Sequence, residues 1–207
     1  SHSGMEEVGD IVQAAQALQE PFLAYTGRNI ASNLAVPKIL HLLRNAPEVY
    51  DAAERFFDLS DWIVKLLTGR DTMNDATAGS KFFYVPGKGF PSRDFFARLD
   101  GRMQNFAQEK LPGPRDVLPQ AAASGRLTRQ GARLTGLPQG ICVCAGHMDG
   151  LAPLPAAGVS QPGVFMLCIG TGVASYILNP RWELIGGVYG ALNGSPFPGL
   201  YTYETGL

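Results

Sequence analysis

The sequence predicts an α/β protein in which helices dominate the first half and short apolar strands arrive in the second. Three observations carry this. Apolar residues recur at three-to-four spacing through the first half, as on one-sided helices. Two compact β-prone runs, 141–145 and 164–169, come later, and they lead into glycine-flanked turns that carry Asp149 and Thr171. The composition, 45% hydrophobic and 17% charged over 207 residues, suits a soluble globular chain with a substantial core.

The elements follow in order. Ile11, Val12, Ala15 and Leu18 mark a first helix, which Pro21 and Gly27 punctuate. A second apolar stripe runs over 34–43 and closes near Asn45, Ala46 and Pro47. Pro47 suits the first turn of a helix over 48–56, where a missing amide proton costs nothing. Ser60 is the expected N-cap of a helix over 61–67, and Gly69 is its C-terminal stop. A short helix over 94–99 follows the turn at Pro91 and Ser92, and Pro112, Pro114 and Pro119 mark an irregular connection. Thr128 stands near the start of a helix over 127–135. The run 141–145 reads as a buried strand, and 164–169 and 173–178 read as a hairpin around Gly170, Thr171 and Gly172.

Charge narrows the classes of partner. The 17 Lys and Arg residues balance 18 Asp and Glu and are scattered, which argues against nucleic acid. Cys142, Cys144 and Cys168 lie in apolar runs and are expected as buried structural thiols in a reducing compartment, rather than as a C-x-C metal site. Ser1 to Gly4 have no apolar core of a signal peptide, and no stretch approaches the ~20 apolar residues of a membrane helix. The expectation is a cytoplasmic protein with no membrane partner.

Two turns carry candidate chemistry. Asp149 follows an apolar strand between Gly146 and Gly150, where a carboxylate can project into a cleft as a base; the same position also fits a cap of the following helix. Gly170-Thr171-Gly172 lets backbone approach an anion closely, and it also fits a plain tight β-turn. Neither a P-loop nor a G-x-G-x-x-G fingerprint is present.

An ordered set of motifs extends these turns. FFDLSDWIVKLLTG (56–69), DATAGSK (75–81), FPSRDFFARLD (90–100), EKLPGP (109–114), GRLTRQGARLTGLPQGICVCAGHMDG (125–150), QPGVFMLCIGTG (161–172) and PGLYTYETG (198–206) occur in the order in which similar stretches stand in FGGY carbohydrate kinases of the L-ribulokinase type. The resemblance runs from about Glu20 to the end. It implies an actin-like (ribonuclease-H-like) two-domain sugar kinase. Residues 1–160 would form the latter part of the sugar-binding domain and 161–207 the start of the ATP-binding domain. It further implies Asp149 as catalytic base, Lys81 and Glu204 as sugar contacts, and Gly170, Thr171 and Gly172 as an ATP phosphate turn. ATP with Mg²⁺ and a ketopentose are the implied cofactors and substrate, L-ribulose giving its 5-phosphate in arabinose catabolism, and a homodimer is compatible. Read locally, Lys81 is a solvated surface lysine and Glu204 a loop carboxylate.

The chain departs from the pattern in places. Leu151 stands where ribulokinases carry a His, Pro153 fits a first turn but Pro155 should shorten or bend the helix after the base, and the phosphate turn reads G-T-G-V-A-S. Family members open on a D-x-G-T phosphate strand, and this chain enters downstream of it, so the chain alone is expected to be inactive. Another FGGY kinase acting on D-ribulose, xylulose or a polyol, and a catalytically dead sugar- or partner-binding remnant, remain alternative readings.

Overall fold

The protein is described by a computed structural model covering residues 4–27, 30–170, 172–183, 185, 188–193 and 196–206. Helices α1 (Val8–Ala17), α2 (Phe22–Tyr25), α3 (Ala35–Asn45), α4 (Pro47–Ala52), α5 (Leu59–Thr68), α6 (Asp75–Phe82), α7 (Arg93–Leu99) and α8 (Phe106–Lys110) fill the first half. The second half adds α9 (Arg129–Thr135) and α10 (Pro153–Ala156). The strands are β1 (Met73–Asn74), β2 (Val117–Leu118), β3 (Ala123–Arg126), β4 (Cys142–Cys144), β5 (Phe165–Ile169), β6 (Val173–Asn179), β7 (Tyr189–Asn193) and β8 (Tyr201–Gly206). They form a parallel β1–β2 pair, an antiparallel β3–β4 pair and an antiparallel sheet in the order β5-β6-β8-β7.

Local chemistry explains most boundaries. Ser92 caps α7 by accepting from the Phe95 amide at 3.1 Å, and Thr128 caps α9 by accepting from the Gly131 amide at 3.0 Å. Gly69 ends α5 and Gly136 ends α9 in the left-handed region, at φ 74° in both, where glycine has no Cβ to clash.

Three expectations need correction. Helix α4 stops at Ala52 instead of 56, because the Lys110 ammonium takes the carbonyls of Tyr50 and Ala53 and the Phe56 amide donates to the Lys110 carbonyl. Ser60 does not cap α5: Asp58 holds the N-cap position, and the Ser60 hydroxyl turns back to Asp58 Oδ1 at 3.4 Å. The strand at 142–144 exists, but Cys142 and Cys144 are exposed and Cys168 is half-buried. The apolar run signals a strand without saying what covers it, and β4 lies in a two-stranded ladder.

The core has two parts. The larger joins α1, α3, α7, α8 and the end of α6, and it is rich in aromatic rings. Phe83 ends α6 in a left-handed conformation at φ 64°, costly for a side chain with a Cβ, and is held by stacking on Phe22 with centroids 4.3 Å apart. The smaller joins Ala76, Met148, Leu151, Leu154 and Val159 to Tyr176 and Leu178 of β6. It packs the four-stranded sheet against α6, α10 and the turn that bears Asp149. Among the described residues no helix is long and apolar enough to cross a membrane.

Candidate functional site

Asp149 sits in the turn between β4 and α10 with its side chain exposed. Its Oδ1 accepts from the Gly150 amide at 2.8 Å. The N-cap position of α10 belongs to Ala152, and no side chain caps that helix, so Asp149 is not its cap. The helix has only four residues, as Pro155 led one to expect. The turn is anchored on both flanks. Met148 and Leu151 are buried in the smaller core, and a Cβ at Gly146 would lie 3.0 Å from Ser60 Cβ and Oγ.

Glu204 enters from the sheet. It lies on β8, directly opposite Tyr176 on β6 and Tyr189 on β7. Its carboxyl is half-buried, and burial pushes it above the ordinary glutamate range, with the Asp149 charge adding to the rise. Asp149 and Glu204 therefore share one electrostatic neighbourhood, and Tyr176 shares it too. The Tyr176 ring is 3% exposed, and a Cβ at Gly150 would lie 3.3 Å from its Oη. Burial pushes its phenol up to about 12, with the charges of Glu204, Cys168 and Asp149 acting in the same direction. Tyr176 is thus a neutral group beside two carboxylates.

Lys81 lies on the last turn of α6, half-buried, with Nζ 2.5 Å from Asp58 Oδ2. It borders a cleft of about 250 Å³ whose wall includes Asn33, Lys38, Phe57 and Asp58. Its partner is thus Asp58, whereas Glu204 feels the charge of Asp149. The neighbouring Ser80 links the two groups by donating to Met148 Sδ at 3.3 Å. Gly170 and Gly172 are exposed at the tip of the β5–β6 hairpin, with the Gly170 amide donating to the Gly172 carbonyl at 2.9 Å; Thr171 lies outside the described residues.

Sequence reasoning missed Asp58, Asp61 and Tyr176. Asp61 is 1% exposed; its Oδ1 accepts from the Asn74 amide at 2.9 Å and from Asn74 Nδ2 at 3.0 Å. Burial pushes its carboxyl up to about 6 against the pull of those two bonds, with Asp58 raising it and Lys81 lowering it. The available signal was the i, i+3 spacing of Asp58 and Asp61, which places both near one helix face.

The chain is similar to known proteins in sequence and in fold. No family model matches the chain. Over 99% of its length it is 34% identical to the ribulokinase of Bacillus licheniformis and 36% identical to that of Mycolicibacterium smegmatis. The structure matches a xylulose kinase from Rhodospirillum rubrum over 96% of the chain with a TM-score of 0.78 and 26% identity. This chain is ribulokinase-like in sequence and has the fold of the FGGY sugar kinases. The chain also shares its fold with a xylulose kinase from Bifidobacterium adolescentis, at a TM-score of 0.76, 15% identity and full coverage of this chain. It spans 37% and 36% of the two ribulokinases and 39% and 46% of the two solved kinases.

Proposed function

We propose that this chain carries the base-bearing, sugar-contacting part of an ATP-dependent ketopentose kinase, with L-ribulose to L-ribulose 5-phosphate as the favoured reaction. The observation that carries the reading is the placement of Asp149. Its carboxylate is exposed, free of helix capping, and close enough in charge to Glu204 and the neutral Tyr176 to raise both their pKa values.

Phosphoryl transfer to an alcohol asks little covalent chemistry of the protein; it asks for positioning and a place for the proton. Asp149 takes the proton from the attacking hydroxyl. Glu204, with its raised pKa, accepts or shares a hydrogen bond from a second hydroxyl. Lys81 donates to another oxygen from the cleft beside α6. The exposed backbone at Gly170 and Gly172, with open space beside Gly172, suits the close approach of phosphate. Asp149 and Glu204 are hard oxygen donors of the kind Mg²⁺ takes, and among the described residues no group of three acidic, His or Cys side chains forms a closed metal cage. Mg²⁺ bound there would supply charge neutralisation on the phosphates.

The division into a sugar-binding part at 1–160 and an ATP-binding part at 161–207 belongs to this proposal. So does the expectation that the chain alone transfers no phosphate, since it spans 36–37% of the ribulokinases quoted above. A second reading, a kinase for D-ribulose, xylulose or ribitol, draws support from Leu151. It is fully buried where ribulokinases carry a His, so the site offers different chemistry next to the base.

A chimera tests the reading. The matching segment of the B. licheniformis ribulokinase is replaced by this chain and assayed with ATP against L-ribulose, D-ribulose, D-xylulose and ribitol. The expected result is fastest turnover of L-ribulose, reduced about 10²–10⁴-fold by Asp149→Asn, the range for losing a positioned base. A folded chimera that phosphorylates none of the four refutes the kinase reading, and an Asp149→Asn variant within about tenfold of its parent removes Asp149 from the role of base.

A further inference from the structure

The first turn of α5 grips α6 at both ends. At the start of α6, Asn74 caps the helix by accepting from the Thr77 amide at 2.9 Å, and Asn74 is itself held by Asp61. At the end of α6, Lys81 meets Asp58 at 2.5 Å. Asp58 and Asp61, one helical turn apart, thus hold the first and last turns of the helix that carries Lys81.

Asp58 is fixed in turn. Its two oxygens divide their work: Oδ2 takes the Lys81 ammonium, and Oδ1 takes the Ser60 hydroxyl at 3.4 Å. Ser60 packs on Gly146, three residues before Asp149, so closely that a Cβ there would lie 3.0 Å from Ser60 Cβ and Oγ. A continuous chain of contacts therefore runs from the Asp149 turn through Ser60 and Asp58 to Lys81. The side chains of the pair are 29% and 22% exposed, which shields them more than an open surface salt bridge. A free lysine samples many rotamers, and a partner fixed to a neighbouring helix selects one.

We propose that Asp58 is a positioning residue: it holds the Lys81 ammonium at the mouth of the cleft walled by Asn33, Lys38 and Phe57, so that Lys81 meets the hydroxyls of a small polyol in a preset geometry linked to the Asp149 turn. This rests on the reading of Lys81 as a sugar contact. It adds what sets the direction of that contact, which a motif match does not contain. An ammonium donates three hydrogen bonds and accepts none, so the Asp58 bond leaves two donors for ligand oxygens.

The test uses the whole chain, labelled with ¹⁵N-lysine, with the Lys81 ammonium signal assigned by its loss in Lys81→Arg. In wild type that signal should be resolved and slow to exchange with water. It should vanish in Asp58→Asn and return in Asp58→Glu, with backbone amide shifts away from 56–62 and 78–84 unchanged in all variants. In titrations with L-ribulose, Asp58→Asn and Lys81→Ala should weaken binding severalfold and by similar factors, and Asp58→Glu should recover most of it. An Asp58→Asn variant that keeps both the Lys81 signal and wild-type affinity overturns the proposal while leaving the sugar reading intact. If Lys81→Ala binds L-ribulose as wild type does, or wild type binds none, the sugar reading fails and the positioning role falls with it, even where the ion pair is seen.

Discussion

Tyr176 on β6 faces Glu204 across the β6–β8 ladder, and its hydroxyl reaches the backbone at Gly150, one residue beyond Asp149. The ring is buried in the smaller core with Met148 and Leu151, which flank the Asp149 turn. Asp149→Asn should lower the titration midpoint of Glu204, because it removes a charge that raises it while leaving burial unchanged. Carbon-13 NMR of the Glu204 carboxyl checks this. An unchanged midpoint would mean that the two groups do not share a site.

Gly146 leaves a tight fit for a side chain. A Cβ there would meet Ser60 Cβ and Oγ at 3.0 Å and the Ser60 carbonyl carbon at 3.2 Å, so Ser60 must give by a few tenths of an ångström. Gly146→Ala should cost about 1–3 kcal/mol in urea unfolding, the usual range for overpacking. It should also shift the amide signals of Asp58, Ser60 and Asp149 together, since one contact chain joins them.

Much of this layout was legible in the sequence, for reasons that differ by element. Ser92, Thr128, Gly69 and Gly136 act locally, through capping bonds and left-handed turns, so the ends they set can be read from short windows. The β5–β6 hairpin was legible because a glycine turn separates two apolar runs, and the register pairs Ile169 with Val173 as that turn requires. What could not be read depends on distant partners. Lys110 shortens α4 from 60 and 57 residues away, and Cys142 and Cys144 are exposed on a two-stranded ladder. Strands β7 and β8 were missed because glycines and prolines interrupt the stretch that contains them. In the candidate site, Asp149, Glu204 and Lys81 came from an ordered resemblance. Tyr176 and Asp58 needed coordinates, since one is defined by strand register and the other by a side-chain contact across 23 residues.

Leu151 offers a test of the smaller core. It is fully buried among Met148, Leu154 and Tyr176, two residues beyond Asp149. Leu151→Ala should destabilise the chain by about 2–5 kcal/mol, the range for a buried leucine that leaves a cavity. It should also loosen the Asp149 turn, seen as faster amide exchange at Met148 and Gly150. A loss under about 1 kcal/mol would show that this cluster contributes little to the fold.

Asp61 should make stability depend on pH in a defined direction. Burial pushes its carboxyl up to about 6 from the ordinary 3.8, so between those values the folded state binds a proton that the unfolded state releases. For this group the stabilising contribution is complete below about 4 and is lost as pH rises through about 6. A difference of about two pKa units corresponds to roughly 3 kcal/mol between the two limits. Asp61→Asn keeps an acceptor for Asn74 and cannot titrate. The stability of wild type relative to Asp61→Asn, from urea unfolding at several pH values, should therefore increase as pH falls from about 7 to about 4. Equal pH profiles for the two proteins would show that Asp61 is ionised in the fold at its ordinary pKa and that burial does not govern it.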